Sequence, residues 1–276
     1  MVKIFIFLII ACVEIFAKPS QVIEPINDSA YKYFDINSTI MQSKSGRVYK
    51  IFTALAKDKN NVKNVLFMTD GNAQFSMLLN AFKPSEHQNP PLIIAIGYDT
   101  NLAYDKSLRT YDLTPFASGD EYKDGGGADE FYGFIRETLL PFVKKNFEVK
   151  NAKYSLYGHS FGGLFTLFSM LKGNEMFDNY FIASPSLWWG ESSIIKDVLR
   201  DGKISNKLNV KFVRVSVGEL EKRKGKTDKP GTINAKQLTQ ILRDSGVECE
   251  FIFYKGQTHG GVIPLGLRDT LKYLSK

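Results

Sequence analysis

Gly158-His159-Ser160-Phe161-Gly162-Gly163 is the stretch that decides the fold of this chain. An apolar run at residues 154–157 precedes it, and a helix-like run at residues 164–171 follows it. A G-x-S-x-G pattern between a strand and a helix is typical of a sharp turn that exposes a serine hydroxyl in a strained backbone conformation. The helix directs the positive end of its dipole toward that serine. The pattern therefore predicts a nucleophilic serine, Ser160.

Outward from this turn, strand-like and helix-like segments alternate. Strands are predicted at residues 65–69, 92–96, 154–157, 180–183, 211–217 and 249–254, and helices at 72–82, 129–146, 164–171, 193–200 and 235–245. A long loop follows the strand at 92–96, and the earlier segments 31–34 and 48–54 look like antiparallel strands. The alternation predicts an α/β fold with a mostly parallel central sheet and helices on both faces. In such sheets, ligands gather at the carboxyl ends of the strands.

The helix at 129–146 carries apolar side chains at helical spacing, which are predicted to pack in the core: Phe131, Phe134, Ile135, Leu139 and Phe142.

The 276-residue chain has no long linker, repeat or low-complexity tract, so residues 18–276 are expected to form a single domain. Residues 1–17 read as a secretory signal peptide, with Lys3 before an apolar core at 4–13 and a cleavage site after Ala17. An alternative reading makes Cys12 a lipoprotein anchor. Export into a bacterial periplasm is expected, and no transmembrane segment is predicted.

Cys12 and Cys249 are the two cysteines, and cleavage after Ala17 would leave no pair for an intramolecular disulfide. Cys249 is expected to be a buried, inert thiol. The net charge of +7 suits an anionic substrate, although it also serves solubility. The sequence contains no zinc-ligand cluster, nucleotide loop or nucleic-acid motif, so neither a cofactor nor a nucleic-acid partner is expected. The basic run at 222–224 is expected to be a solvated loop.

Three histidines remain as candidates for the base that activates Ser160. His259 follows the last predicted strand, which agrees with the chain order serine, acid, histidine. His159 lies inside the turn, and its side chain is expected to point away from the nucleophile. His87 lies in a polar loop and is expected to be solvated. His259 is therefore the predicted base.

Two carboxylates compete to orient His259, because Glu219 and Glu221 both follow the strand at 211–217. Glu221 is favoured, since a short turn normally separates the strand from the acid. An oxyanion hole needs two backbone N–H donors. Phe161 is expected to supply one, and Asn72, after the turn Asp70-Gly71, is expected to supply the other.

Several stretches together resemble the putative-esterase (esterase D-like) branch of the α/β-hydrolases, and within it the siderophore esterases. The stretches lie at residues 66–72, 96–98, 109–115, 126–131, 158–164, 184–189, 217–221 and 258–261. The resemblance implies an α/β-hydrolase fold and hydrolysis of the trilactone backbone of ferric enterobactin, with iron present only as part of the substrate. It also implies catalysis by a Ser-His pair with a weak or displaced acid.

An anionic ferric catecholate would suit basic and aromatic side chains. Arg109 is expected either to meet the anion or to pair with Asp112 within its own loop. Trp188 and Trp189 are expected either to stack on a catechol ring or to pack in the protein. A broad carboxylesterase or feruloyl-type esterase is the alternative function, and a non-hydrolytic periplasmic siderophore binder is a third. The oligomeric state is open.

Overall fold

A computed structural model describes residues 20–57, 62–173, 176–221 and 229–276 of the chain. The predicted signal peptide, Cys12 and the basic run at 222–224 lie outside these residues. Within them the strands are β1 (Phe34–Gln42), β2 (Val48–Ala56), β3 (Asn64–Met68), β4 (Leu92–Gly97), β5 (Lys153–His159), β6 (Asn179–Ala183), β7 (Leu199–Arg200), β8 (Lys203–Ile204), β9 (Phe212–Gly218) and β10 (Cys249–Tyr254).

The helices in the same residues surround these strands. They are α1 (Asp28–Tyr33), α2 (Gly71–Asn80), α3 (Lys106–Leu113), α4 (Ala128–Phe134), α5 (Leu140–Asn146), α6 (Phe161–Leu171), α7 (Ser193–Lys196), α8 (Ala235–Asp244) and α9 (Val262–Leu274). None of the helices in these described ranges is long and apolar enough to cross a membrane.

Eight strands form the central sheet in the order β1-β2-β4-β3-β5-β6-β9-β10. Strand β2 runs antiparallel to β1 and to β4, and the remaining neighbours are parallel. The predicted α/β fold with a mostly parallel sheet is therefore confirmed.

Alternate residues of the central strands enter two different hydrophobic cores. In β3, Val65 and Phe67 pack in one core, and Leu66 and Met68 pack in the other. Both faces of the sheet are therefore buried beneath helices, which explains why the strand reads as a continuous apolar run.

The parallel strands bring the segments that follow them to one edge of the sheet. The pairing of His159 with Ala183, of Ala183 with Ser216 and of Gly218 with Tyr254 aligns the carboxyl ends of β5, β6, β9 and β10. Ser160, Glu221 and His259 follow the ends of β5, β9 and β10, and Trp188 and Trp189 follow β6.

Three predicted segments differ from the structure. Residues 31–33 end helix α1, and the first strand begins only at Phe34, so the strand predicted at 31–34 is wrong in most of its length. Helix α7 stops at Lys196 instead of reaching residue 200, where the chain enters the short strand β7. The long loop after β4 contains helix α3, which begins where the Asp105 side chain accepts a hydrogen bond from the amide of Leu108.

The helix predicted at 129–146 is present but not uniform. A π-helical segment, Ile135–Leu139, joins α4 to α5, and Pro141 is the second residue of α5. Proline has no N–H and crowds the carbonyl one turn earlier, so a local change of helix type at this place is expected. The predicted core side chains Phe131, Phe134, Ile135 and Leu139 are buried.

Candidate active site

Ser160 lies in the turn between β5 and α6 with φ 61° and ψ −118°, a conformation that is costly for a residue with a side chain. Backbone hydrogen bonds hold it there. Its amide donates to the carbonyl of Ala183 at 3.0 Å, and its carbonyl accepts from the amide of Ser186 at 3.1 Å. The neighbouring strand and its following loop therefore support the strained serine.

Close contacts with neighbouring segments explain the two glycines that flank this serine. A Cβ atom on Gly158 would overlap the carbonyl of Gly162, and one on Gly162 would overlap the hydroxyl of Thr69. Glycine at both positions lets β5, α6 and the end of β3 pack against each other.

The hydroxyl of Ser160 lies 3.3 Å from the hydroxyl of Ser186. Ser186 was not singled out from the sequence, although its position after β6 placed it at the same edge of the sheet. The amide of Phe161 begins helix α6, and first-turn amides have no acceptor within their own helix. This amide is therefore suited to the predicted oxyanion role.

His259 lies in the loop between β10 and α9. Its Nδ1 is 2.8 Å from Oε2 of Glu221, and its side chain is 46% exposed. The carboxylate of Glu219 instead accepts from the amide of Gly256 at 2.8 Å. The structure thus brings Glu221, the favoured candidate, within hydrogen-bonding distance of Nδ1 of His259.

Hydrogen bonds hold Glu221 as a carboxylate. Its Oε1 accepts from the Ser184 hydroxyl and from the amide of Gly218, each at 2.6 Å. Burial alone would raise the pKa of Glu221, but the bonds from His259, Ser184 and Gly218 outweigh it and lower the pKa below its ordinary value. Ser184 was missed in the sequence, and its place directly after β6 is the signal that could have found it.

His159 makes a contact that the sequence did not suggest. Its Nε2 lies 2.9 Å from the backbone carbonyl of His259, and the two rings are 4.6 Å apart. The ring is buried beside the loop of the predicted base.

Arg109 pairs with Asp70 and not with Asp112, the protein partner that the sequence offered. Its Nε and Nη2 donate to the two carboxylate oxygens of Asp70 at 2.8 and 2.9 Å, and its side chain is 13% exposed. Burial opposes the charge of Arg109, but Asp70 outweighs it and raises its pKa. The predicted pairing with Asp112 is wrong, because Asp112 binds Arg47 at 2.8 Å. Contact of Arg109 with an anionic substrate stays a prediction.

The side chain of Asn72 ties α2 to the end of β4. Its Oδ1 accepts from the amide of Tyr98 at 2.7 Å, and its Nδ2 donates to the carbonyls of Tyr98 and Thr100. Asp70, directly before α2, has φ 54° and lies beside Gly162 in the first turn of α6. The turn before α2 therefore lies beside the first turn of α6, which follows the serine, while the amide of Asn72 as oxyanion donor stays a prediction.

The two tryptophans lie in different environments. Trp189 is 3% exposed, packs edge-on against Tyr122 and Phe161, and donates from Nε1 to the carbonyl of Pro115 at 2.9 Å. Trp189 therefore packs within the protein, so its reading as a surface for a catechol ring is wrong. Trp188 is only partly buried and lies 5.7 Å from the ring of Phe161, next to the nucleophile.

The structure shows the surroundings of two further residues, His87 and Cys249, which lie outside the site. His87 is buried, stacks on Phe82 and accepts from the amide of Lys83, so the prediction of a solvated histidine is wrong. The compact turn at 83–87 folds its ring inward. Cys249 is buried as predicted, and burial raises the pKa of its thiol to about 12.

Comparison with known proteins agrees with this geometry. The family model described as "Putative esterase" matches residues 45–260. The apo-salmochelin esterase of Escherichia coli O6:H1 is 29% identical over 97% of this chain and 88% of its own length. The siderophore enterobactin esterase of Emericella nidulans is 33% identical over 77% of this chain and 82% of its own length.

A solved structure supports the same assignment. The enterobactin hydrolase IroE in complex with DFP, an inhibitor of serine hydrolases, superposes with a TM-score of 0.72 and 29% identity, covering 90% of this chain and 99% of that chain. The family match spans most of the sequence and includes the serine turn and His259. The chain therefore belongs to the putative esterase family and is a serine hydrolase with the α/β-hydrolase fold.

Proposed function

We propose that this protein is a serine esterase that hydrolyses the trilactone backbone of ferric catecholate siderophores of the enterobactin type and so weakens their hold on iron. The observation that carries the proposal is the placement of Ser160, His259 and Glu221 at one edge of the sheet, in a chain whose relatives are named as siderophore esterases. The iron belongs to the substrate, and the chemistry needs no cofactor of its own.

The proposed reaction follows from the atoms at this edge. The hydroxyl of Ser160 attacks a lactone carbonyl, and Nε2 of His259 takes its proton. The imidazolium that forms is stabilised by the carboxylate of Glu221 on Nδ1, 2.8 Å away. The proton then passes to the leaving alkoxide as the ester C–O bond breaks, which leaves an acyl-enzyme and a freed hydroxyl.

Water completes the cycle. His259 takes a proton from a water molecule that attacks the acyl carbonyl, and returns it to Ser160 as the carboxylic acid leaves. In both steps the amide of Phe161 and a first-turn amide of α2, with Asn72 as the candidate, are proposed to bind the oxyanion.

The substrate side of the proposal rests on the rim of the site. Trp188 is the aromatic side chain that remains partly exposed beside Phe161, and a flat catechol ring suits stacking there. The charge of Arg109 is already paired with Asp70. Arg109 is therefore proposed to contribute to anion binding mainly indirectly, by holding the turn at Asp70 in place. Export to the periplasm under the signal at residues 1–17 is part of the same proposal.

The experiment that tests the substrate class compares kcat/KM for ferric enterobactin with kcat/KM for a simple aryl ester. A trilactone esterase should prefer ferric enterobactin by about a hundredfold or more, because part of the binding energy of the large substrate is used in the transition state. Equal values would favour a broad carboxylesterase instead. Loss of both activities on treatment with DFP is expected in either case.

A further inference from the structure

His159 is a buried titratable side chain that the proposed reaction does not use. We propose that His159 is a positioning residue, which fixes the backbone of the His259 loop so that the His259 ring stays aligned between Glu221 and Ser160. This inference rests on the proposed roles of Ser160 and His259, and it adds a second anchor to the one that Glu221 provides.

The contact between His159 and His259 joins a strand of the central sheet to a loop. His159 is the last residue of β5 and pairs with Ala183 of the neighbouring strand. His259 is exposed and is followed by Gly260 and Gly261, neither of which has a side chain to restrain the loop. The 2.9 Å contact between Nε2 of His159 and the carbonyl of His259 therefore fastens the loop to the sheet.

The chemistry of the contact determines which nitrogen of the buried His159 ring carries a hydrogen. A carbonyl oxygen accepts only, so Nε2 of His159 must carry the hydrogen and donate. Burial first, and the adjacent His259 second, lower the pKa of His159 well below its ordinary value. A neutral donor holds the loop without placing a second positive charge beside the imidazolium that forms on His259.

Two anchors define the position of the catalytic ring better than one. Glu221 holds Nδ1, which fixes the tautomer, but Glu221 forms no hydrogen bond with the backbone of His259. His159 holds that backbone. Since a misplacement of about 1 Å can cost about a hundredfold in rate, loss of the second anchor should appear in kcat.

The test compares two amides at position 159. In His159→Gln the side-chain N–H₂ reaches the place of Nε2, whereas in His159→Asn it reaches only the place of Nδ1. His159→Gln is expected to keep kcat within about threefold of the wild type, and His159→Asn is expected to lose about 10- to 100-fold, with KM changed by less than about threefold. His159→Phe, which keeps a ring but has no donor, should resemble His159→Asn.

A simple aryl ester is the substrate for this test, so a failure of the siderophore proposal would leave the readout intact. Ser160→Ala in parallel shows whether the measured activity belongs to this site. Thermal unfolding of each variant separates positioning from loss of the fold. The proposal is overturned if the folded Asn or Phe variant has the same kcat as the Gln variant. A change confined to KM would overturn it as well.

Discussion

At the scale of single residues, Glu219 and Glu221 stand two positions apart after the same strand but have different neighbours. Gly218 donates its amide to Oε1 of Glu221, which folds that side chain back toward His259. Glu219 turns to the amide of Gly256. The sequence limits the candidates for the catalytic acid to these two residues. It does not choose between them, because the direction of the turn after β9 depends on its contact with the loop that carries His259.

Glu221→Gln is expected to lower kcat by about a hundredfold or more, because a neutral amide no longer stabilises the imidazolium of His259. Glu219→Gln is the matched control and should stay within about twofold of the wild type. Steady-state rates on an aryl ester measure both. Equal rates in the two variants would instead support a Ser-His pair that works without an acid.

The lowered pKa of Glu221 also predicts a dependence of stability on pH. Its pKa is below the ordinary 4.5 in the folded protein, so the unfolded chain binds the proton more readily. The ionised carboxylate therefore stabilises the fold above about pH 4.5, and this stabilisation is lost as the pH falls through the folded pKa.

Urea denaturation of the wild type and Glu221→Gln measures this effect. The difference in their free energies of unfolding should be larger at about pH 7 than at about pH 3.5. A difference that stays constant between the two pH values would contradict the assignment of a stabilised carboxylate.

At the scale of elements, the strand-turn-helix unit around Ser160 depends on backbone contacts that admit no side chain at Gly158. Gly158→Ala is expected to destabilise the fold by about 1–3 kcal/mol, since the added methyl overlaps the backbone of Gly162. Gly133→Ala in α4 is the control, because an added Cβ there meets nothing within 4 Å. It should leave stability unchanged or raise it by up to about 1 kcal/mol. Thermal unfolding measures the stability of both variants, and equal unfolding midpoints would contradict the close packing of Gly158 against Gly162.

The elements that the sequence predicted well are those whose hydrophobic pattern alone decides them. Strands β3 and β4 are nearly continuous apolar runs, and apolar residues dominate β9 and β10, which are interrupted only by Arg214, Ser216 and Glu250. Helix α8 has strong helical periodicity and a capping box formed by Asn234 and Gln237. The strand assigned at 31–34 failed because its aromatic residues suit a strand locally, whereas the structure uses most of them to end helix α1. Tertiary packing, which a single sequence does not display, decides such short segments.

The sequence predicts those residues of the candidate site that follow the end of a strand, because the hydrophobic pattern locates the strands. Ser160, His259 and the pair of glutamates follow strands, so topology brings them together. Ser184, Ser186 and His159 act through hydrogen bonds to backbone or side chains of other segments, and no spacing in the sequence reports those bonds.

At the scale of the whole molecule, the net charge of +7 predicts that a trianionic substrate is attracted over a long range. The kcat/KM for ferric enterobactin should fall about tenfold between low salt and about 0.5 M salt, because the screening length shortens to a few ångströms. A neutral aryl ester should show a change of less than about twofold over the same range. Parallel falls for both substrates would point to a salt effect on the protein itself.

The measurement that tests the central claim most directly is incubation of the protein with ferric enterobactin, with the products separated by chromatography and identified by mass. The account predicts that linear trimer, dimer or monomer appears with the wild type and not with Ser160→Ala. Unchanged trilactone with the wild type, or hydrolysis that persists in a folded Ser160→Ala variant, would contradict it.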